Sequence, residues 1–151
     1  IIPLFILWFL LVIYFGKHKS EQLGWNSALG NGVTLMWVTL MCFRQVYSIT
    51  PMDSMLKYYI LTLVLIYSLF IIWTSFGHKL HPKIAFAFAS TTFVYFLAGV
   101  TVLFSFGVLR IHWIIAVDLV ILLIALFLLQ GLISRFIKGT EEVIVDTLDK
   151  L

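Results

Sequence analysis

Long apolar runs, interrupted by short polar breaks, dominate the pattern of this chain. A bilayer core of about 30 Å is crossed by about 20 helical residues, with 17 to 25 as the working range. Tyr58 to Phe76, Ile84 to Leu109 and Ile111 to Ile133 meet that requirement unaided. Ile1 to Phe15 is shorter and would span if it continued upstream; no small-residue cleavage site follows it in Gly16-Lys17-His18-Lys19, so it reads as membrane helix rather than signal peptide. Leu29 to Tyr47 is the weakest run, opened by Gly30, Asn31 and Gly32 and interrupted by Arg44 and Gln45. Its middle, Val33 to Phe43, is apolar, and a cation near a helix end can snorkel to the interface. The pattern therefore predicts an all-α, polytopic transmembrane helical bundle of about five membrane-spanning helices, over 1–15, 29–47, 58–76, 84–109 and 111–136.

The punctuation between the runs agrees. Pro51 biases Thr50 away from helical geometry and, with Asp53, separates the second helix from the third. Gly77 to Pro82 is a tight polar connection. Gly107 to His112 leaves so few residues between the fourth and fifth helices that they are expected to be antiparallel neighbours. After Gly139 the pattern changes: Thr140 can cap a short helix with Glu141 and Glu142 in its first turn, and Ile144, Leu148 and Leu151 recur on one face. The organisation expected is a bundle over 1–139 and an amphipathic cytoplasmic helix over 140–151, which could begin a further domain. Neither Ile1 nor Leu151 reads as a natural terminus, which suggests a fragment or ends lost to disorder.

Composition sharpens this reading. The chain is 62% hydrophobic and 11% charged, and its mean hydropathy is +1.10. Soluble domains run at about 45 to 50% apolar and about 25% charged, so this chain could not cover its own surface with polar groups. Its net charge of +3 comes from Lys and Arg placed between the runs, as on membrane flanks, and implies no nucleic-acid partner. With five spans, Lys17, Lys19, Lys79, Lys83, Arg135 and Lys138 fall on one side and Arg44, Lys57 and Arg110 on the other. That excess places the first side in the cytoplasm, with the N-terminus outside and the C-terminus inside a plasma or inner membrane. Cys42 is the single cysteine and sits in an apolar segment, where an inert buried thiol is expected.

Few residues could carry chemistry. In the fourth helix Ala87, Thr91, Val94, Ala98, Thr101 and Ser105 repeat at intervals of four and three, a seam of small or β-branched residues suited to close helix packing. The alternative is a conduit lined by the hydroxyls. Asp118 lies in an apolar run, where a carboxylate costs about 2.5 to 3.5 kcal/mol on insertion scales and needs a partner or water. Arg44 is the expected partner, either as a structural ion pair or as part of an ion or proton pathway; Gln45, Lys57, Arg110 and His112 fall at the same level. His18, His78 and His81 map to the other side from His112, which disfavours a bis-histidine haem, and no cofactor or metal is indicated. No phosphate loop, HExxH helix or GxSxG elbow is present, so an enzyme is the least supported class.

Three functions fit these observations. The first is a sensing or anchoring membrane module that transduces a signal through the fifth helix towards an inward C-terminus. The second is a channel or transporter subunit using the Arg44 and Asp118 level, and the third a structural subunit of a larger membrane complex. The partners expected are the lipid bilayer and either further copies of the chain, as a homo-oligomer, or other membrane subunits.

Overall fold

The computed structural model describes residues 5, 8–9, 12–13, 24–49, 55–78, 81–109 and 112–136. Among the described residues there are helices and turns but no strand. The elements are α1 (Trp25–Ile49), α2 (Met55–Gly77), α3 (Pro82–Phe88), α4 (Thr91–Ser105) and α5 (Trp113–Phe136). Phe5, Trp8, Phe9, Val12 and Ile13, from the expected first span, are helical as well. Arg110, His18 and the expected helix over 140–151 lie outside the described residues.

Among the described residues, three helical stretches are long and apolar enough to cross a membrane: Met55–Gly77, Ile84–Ser105 and Trp113–Phe136. The described residues thus form an all-helical bundle with three candidate spans. α1, though 25 residues long, is not among them.

Two boundaries differ from the expectation in an informative way. α1 starts at Trp25, so Gly30, Asn31 and Gly32 lie inside the helix instead of opening it. Glycine is a weak helix former, but here it permits a close approach. A Cβ on Gly32 would stand 2.9 Å from Ile71 Cγ2 and 3.0 Å from Ile72 Cγ1 of α2. The expected fourth helix is broken into α3 and α4 at Ala89 and Ser90, where Ser90 takes extended geometry (φ −58°, ψ 138°).

The helix ends follow local rules. Pro82 opens α3, where its missing N–H loses nothing. α4 closes in a Schellman motif: Gly107, at φ +74°, donates to Phe104 O at 3.0 Å, and Val108 donates to Leu103 O at 3.0 Å. His78 follows α2 at φ +48° and stacks on Trp25 of α1, with ring centroids 4.5 Å apart.

The core lies between α1, α2 and α4. α1 packs most extensively on α2 and next on α4. Its buried positions, Ala28, Asn31, Leu35, Thr39, Cys42 and Val46, form one stripe at intervals of three and four. Ala28 and Leu35 meet Val64 and Ile71 of α2 and Val94 and Ala98 of α4 in the largest apolar cluster. Cys42 and Val46 join Leu61 of α2 in another. α5 differs: it buries no residue and touches α4 only lightly.

Candidate functional site

The break between α3 and α4 is the most distinctive polar feature of the described core. Interrupting a helix frees backbone carbonyls, and in a membrane these must be satisfied by protein or by water in a cavity. Two side chains from neighbouring helices do so. Asn31 Nδ2, on α1, donates to Ala89 O at 2.8 Å and reaches Thr91 Oγ1 at 3.4 Å. Tyr67 OH, on α2, donates to Phe88 O at 2.8 Å. The main chain contributes a weaker contact, Ser90 N–H to Ala87 O at 3.4 Å.

A second layer of polar groups lies next to it. Thr92 Oγ1 accepts from Trp8 Nε1 at 3.1 Å, and the Thr92 hydroxyl donates to Gln130 Oε1 of α5. This layer ties the first helical segment and α5 to the start of α4. Ser90 Oγ is buried with no hydrogen-bond partner among the described residues. The groups around the break are amides, hydroxyls and one phenol. They can hold a polar ligand or a bent backbone by hydrogen bonds, but among the described residues they include no carboxylate, imidazole or thiol to act as a base or nucleophile.

The residues singled out in the sequence are distributed as follows. Thr91, Val94, Ala98, Thr101 and Ser105 are buried along α4, while Ala87 is exposed on α3 because it precedes the break. Thr101 and Ser105 direct their hydroxyls to the carbonyls of Leu97 and Thr101, four residues earlier, at 2.7 and 2.6 Å. Hydroxyls bonded this way serve their own helix.

Arg44 and Asp118 are both exposed, and the structure does not bring them together, since their helices α1 and α5 are not packed neighbours. Gln45 is half-buried, and its carbonyl accepts from Ser48 Oγ at 2.9 Å. His112 is exposed, and its Nδ1 accepts from Ile114 N–H at the start of α5. Lys57 makes the interhelical contact at this level, donating to Ser105 O at 3.3 Å beside Gly107.

The loose seat of α5 leaves two clefts along α4. One, of about 150 Å³, is lined by Phe5, Trp8, Tyr95, Gly99 and Leu122, with Thr92 as its polar member. The other, of about 180 Å³, is lined by Ile60, Thr101, Phe104 and Ile115, with His112 beside them. Val100 and Leu119 line both, so the clefts adjoin.

Sequence reasoning missed the break and the roles of Asn31, Tyr67 and Gln130. The legible signals were Asn31 between two glycines, Gln130 in an apolar run, and the cluster Ala89-Ser90-Thr91-Thr92 within a predicted span. Comparison of the chain with protein-family models, curated proteins and solved structures finds no match.

Proposed function

We propose that the chain is a membrane sensing and anchoring module in which α1, α2 and α4 form a fixed body and α5 is the arm that passes a signal on. One observation carries this reading: α5 has no buried residue, although it is apolar along almost its whole length. A helix so lightly held can change position at small cost, whereas the interlocked α1 and α2 cannot. In this reading residues 1–15 and α1 complete about five spans, and α5 leads to a cytoplasmic C-terminus in a plasma or inner membrane, as the Lys and Arg distribution favours.

Spin-label pairs in the liposome-reconstituted chain test the proposal, one spanning α1 and α2 and the other spanning α4 and α5 near Gln130. The relay predicts one narrow α1–α2 distance, and an α4–α5 distance that shifts or broadens when Gln130→Leu removes the Thr92 contact. A narrow α4–α5 distance unmoved by that substitution would contradict it.

A channel or transporter subunit is the second reading, favoured by the broken helix, since discontinuous helices surround the sites of many transporters. Ion flux in proteoliposomes that falls with Asn31→Leu would support it. Flux indistinguishable from protein-free liposomes would remove it, and flux unchanged by Asp118→Asn would remove Asp118 from the pathway.

A further inference from the structure

We propose that α5 of one copy of this chain docks on α1 of a second copy in antiparallel register, with Arg44 of one chain paired to Asp118 of the other. The argument starts from depth. Arg44 stands five residues before the end of α1 at Ile49, and Asp118 five residues after the start of α5 at Trp113. At 1.5 Å per residue, each is about 7.5 Å from its helix end. In the up-and-down order of the bundle, α1 and α4 finish at the end where α2 and α5 begin, so the two charges share one level.

Both side chains are exposed, and within one chain α1 and α5 do not pack together. A carboxylate left against lipid is costly, and a guanidinium at the same depth is the group that best offsets it. A second copy supplies that group without any further kind of partner.

The surrounding faces match. On α1, Val33, Trp37, Leu40, Arg44 and Tyr47 are exposed at intervals of 4, 3, 4 and 3, on the side opposite the buried stripe. On α5, Ile114, Asp118, Ile121, Ala125, Leu128 and Leu132 are exposed at intervals of 4, 3, 4, 3 and 4. This face of α5 points away from α4, which is met by Leu119, Leu126 and Gln130.

With Arg44 set opposite Asp118, an antiparallel pairing brings Tyr47 to Ile114, Leu40 to Ile121 and Trp37 to Ala125. Trp37 is the largest side chain on its face, 59% exposed, and it meets the smallest residue of the other. Such a large-against-small fit is what close helix association in lipid requires. A two-fold axis along the membrane normal would form the contact twice. The proposal rests on the membrane placement of the helices and not on the relay reading.

Förster transfer between labelled copies of the full chain, diluted in liposomes, tests it. The wild-type chain is expected to self-associate, and Arg44→Asp or Asp118→Arg alone to weaken that association at least tenfold. Mixing the two single variants should restore it, because both contacts of the mixed dimer again set an acidic side chain against a basic one, with the charges exchanged at one contact and native at the other. A pair formed inside one chain predicts no rescue on mixing, and that result overturns the proposal, as does a monomeric wild type. Should the charge variants fail to insert, Trp37→Cys and Ala125→Cys chains mixed in a Cys42→Ser background are expected to form a disulfide-linked dimer on oxidation. Absence of that dimer, with both chains helical in the membrane, would equally overturn it.

Discussion

α1 and α5 are nearly equal in length, 25 and 24 residues, yet they solve opposite problems. α1 carries Asn26, Asn31, Arg44 and Gln45 and packs most extensively in the bundle. α5 is almost continuously apolar and buries nothing. In water the more apolar helix would be the buried one. In lipid the apolar side chain gains little by leaving the solvent, and association depends on close packing and interhelical hydrogen bonds. The buried stripe of α1 draws on both kinds of residue: Ala28, Asn31, Gly32, Thr39 and Cys42 are small or polar, and Leu35 and Val46 are larger and apolar. The contrast shows that hydropathy alone does not select the inside of this bundle: small and hydrogen-bonding residues let α1 approach its neighbours closely around a few larger apolar side chains.

Substitutions can break or sharpen the contrast, and each is read as a change in unfolding free energy in mixed detergent micelles. The largest difference is expected between two truncations. Leu35→Ala, at a position with no exposure, should cost about 2 to 5 kcal/mol by leaving a cavity between α1, α2 and α4. Ile124→Ala, on the lipid side of α5 and 54% exposed, should cost less than about 0.5 kcal/mol, as surface changes do. Equal losses at the two sites would erase the distinction between body and arm.

Next comes the close approach of α1 to α2. Gly32→Val places methyl groups where even a Cβ would stand 2.9 Å from Ile71 Cγ2, and overpacking of this kind costs about 1 to 3 kcal/mol. Gly30→Val is the control, since nothing lies within 4 Å of a Cβ there, and it should be better tolerated.

At the break, Asn31→Leu leaves Ala89 O buried without its 2.8 Å donor, and an unsatisfied buried acceptor costs about 1 to 3 kcal/mol. Amide-I infrared spectroscopy with a ¹³C label at Ala89 should show that carbonyl shifting to the frequency of an unbonded group. The smallest effect is expected at the arm. Gln130→Leu removes one hydrogen bond, and such bonds between membrane helices average about 0.6 kcal/mol.

Much of this architecture was legible in the sequence because hydropathy over long windows is a strong signal. The run from Tyr58 to Phe76 anticipated α2 at Met55–Gly77, and the run from Ile111 anticipated α5. Gly107 and the short link after it marked the end of α4, where the left-handed turn lies. The break at Ala89 and Ser90 was not legible from periodicity, because an apolar run reads the same whether its backbone is continuous or interrupted. It is sustained by Asn31 and Tyr67, more than 20 residues away in the chain, and single-sequence patterns carry no such pairing. Asn31 itself misled the reading, since Gly30-Asn31-Gly32 is a turn signal in water but lies within a helix here. Asp118 was legible as a residue that needs a partner, but that its helix is not a packed neighbour of α1 was not.

The central claim is that α1 turns one stripe, made of small and polar residues with Leu35 and Val46 among them, towards α2 and α4, whereas the apolar α5 is left to lipid along Val120, Ile124 and Phe127. Oxygen accessibility of single nitroxide labels, scanned along α1 and α5 in liposomes, tests it most directly. Accessibility along α1 should oscillate with the helical period, with minima at Ala28, Leu35, Cys42 and Val46, and it should stay high at Val120, Ile124 and Phe127 of α5. A flat profile along α1, or protection at those three positions of α5, would contradict the account.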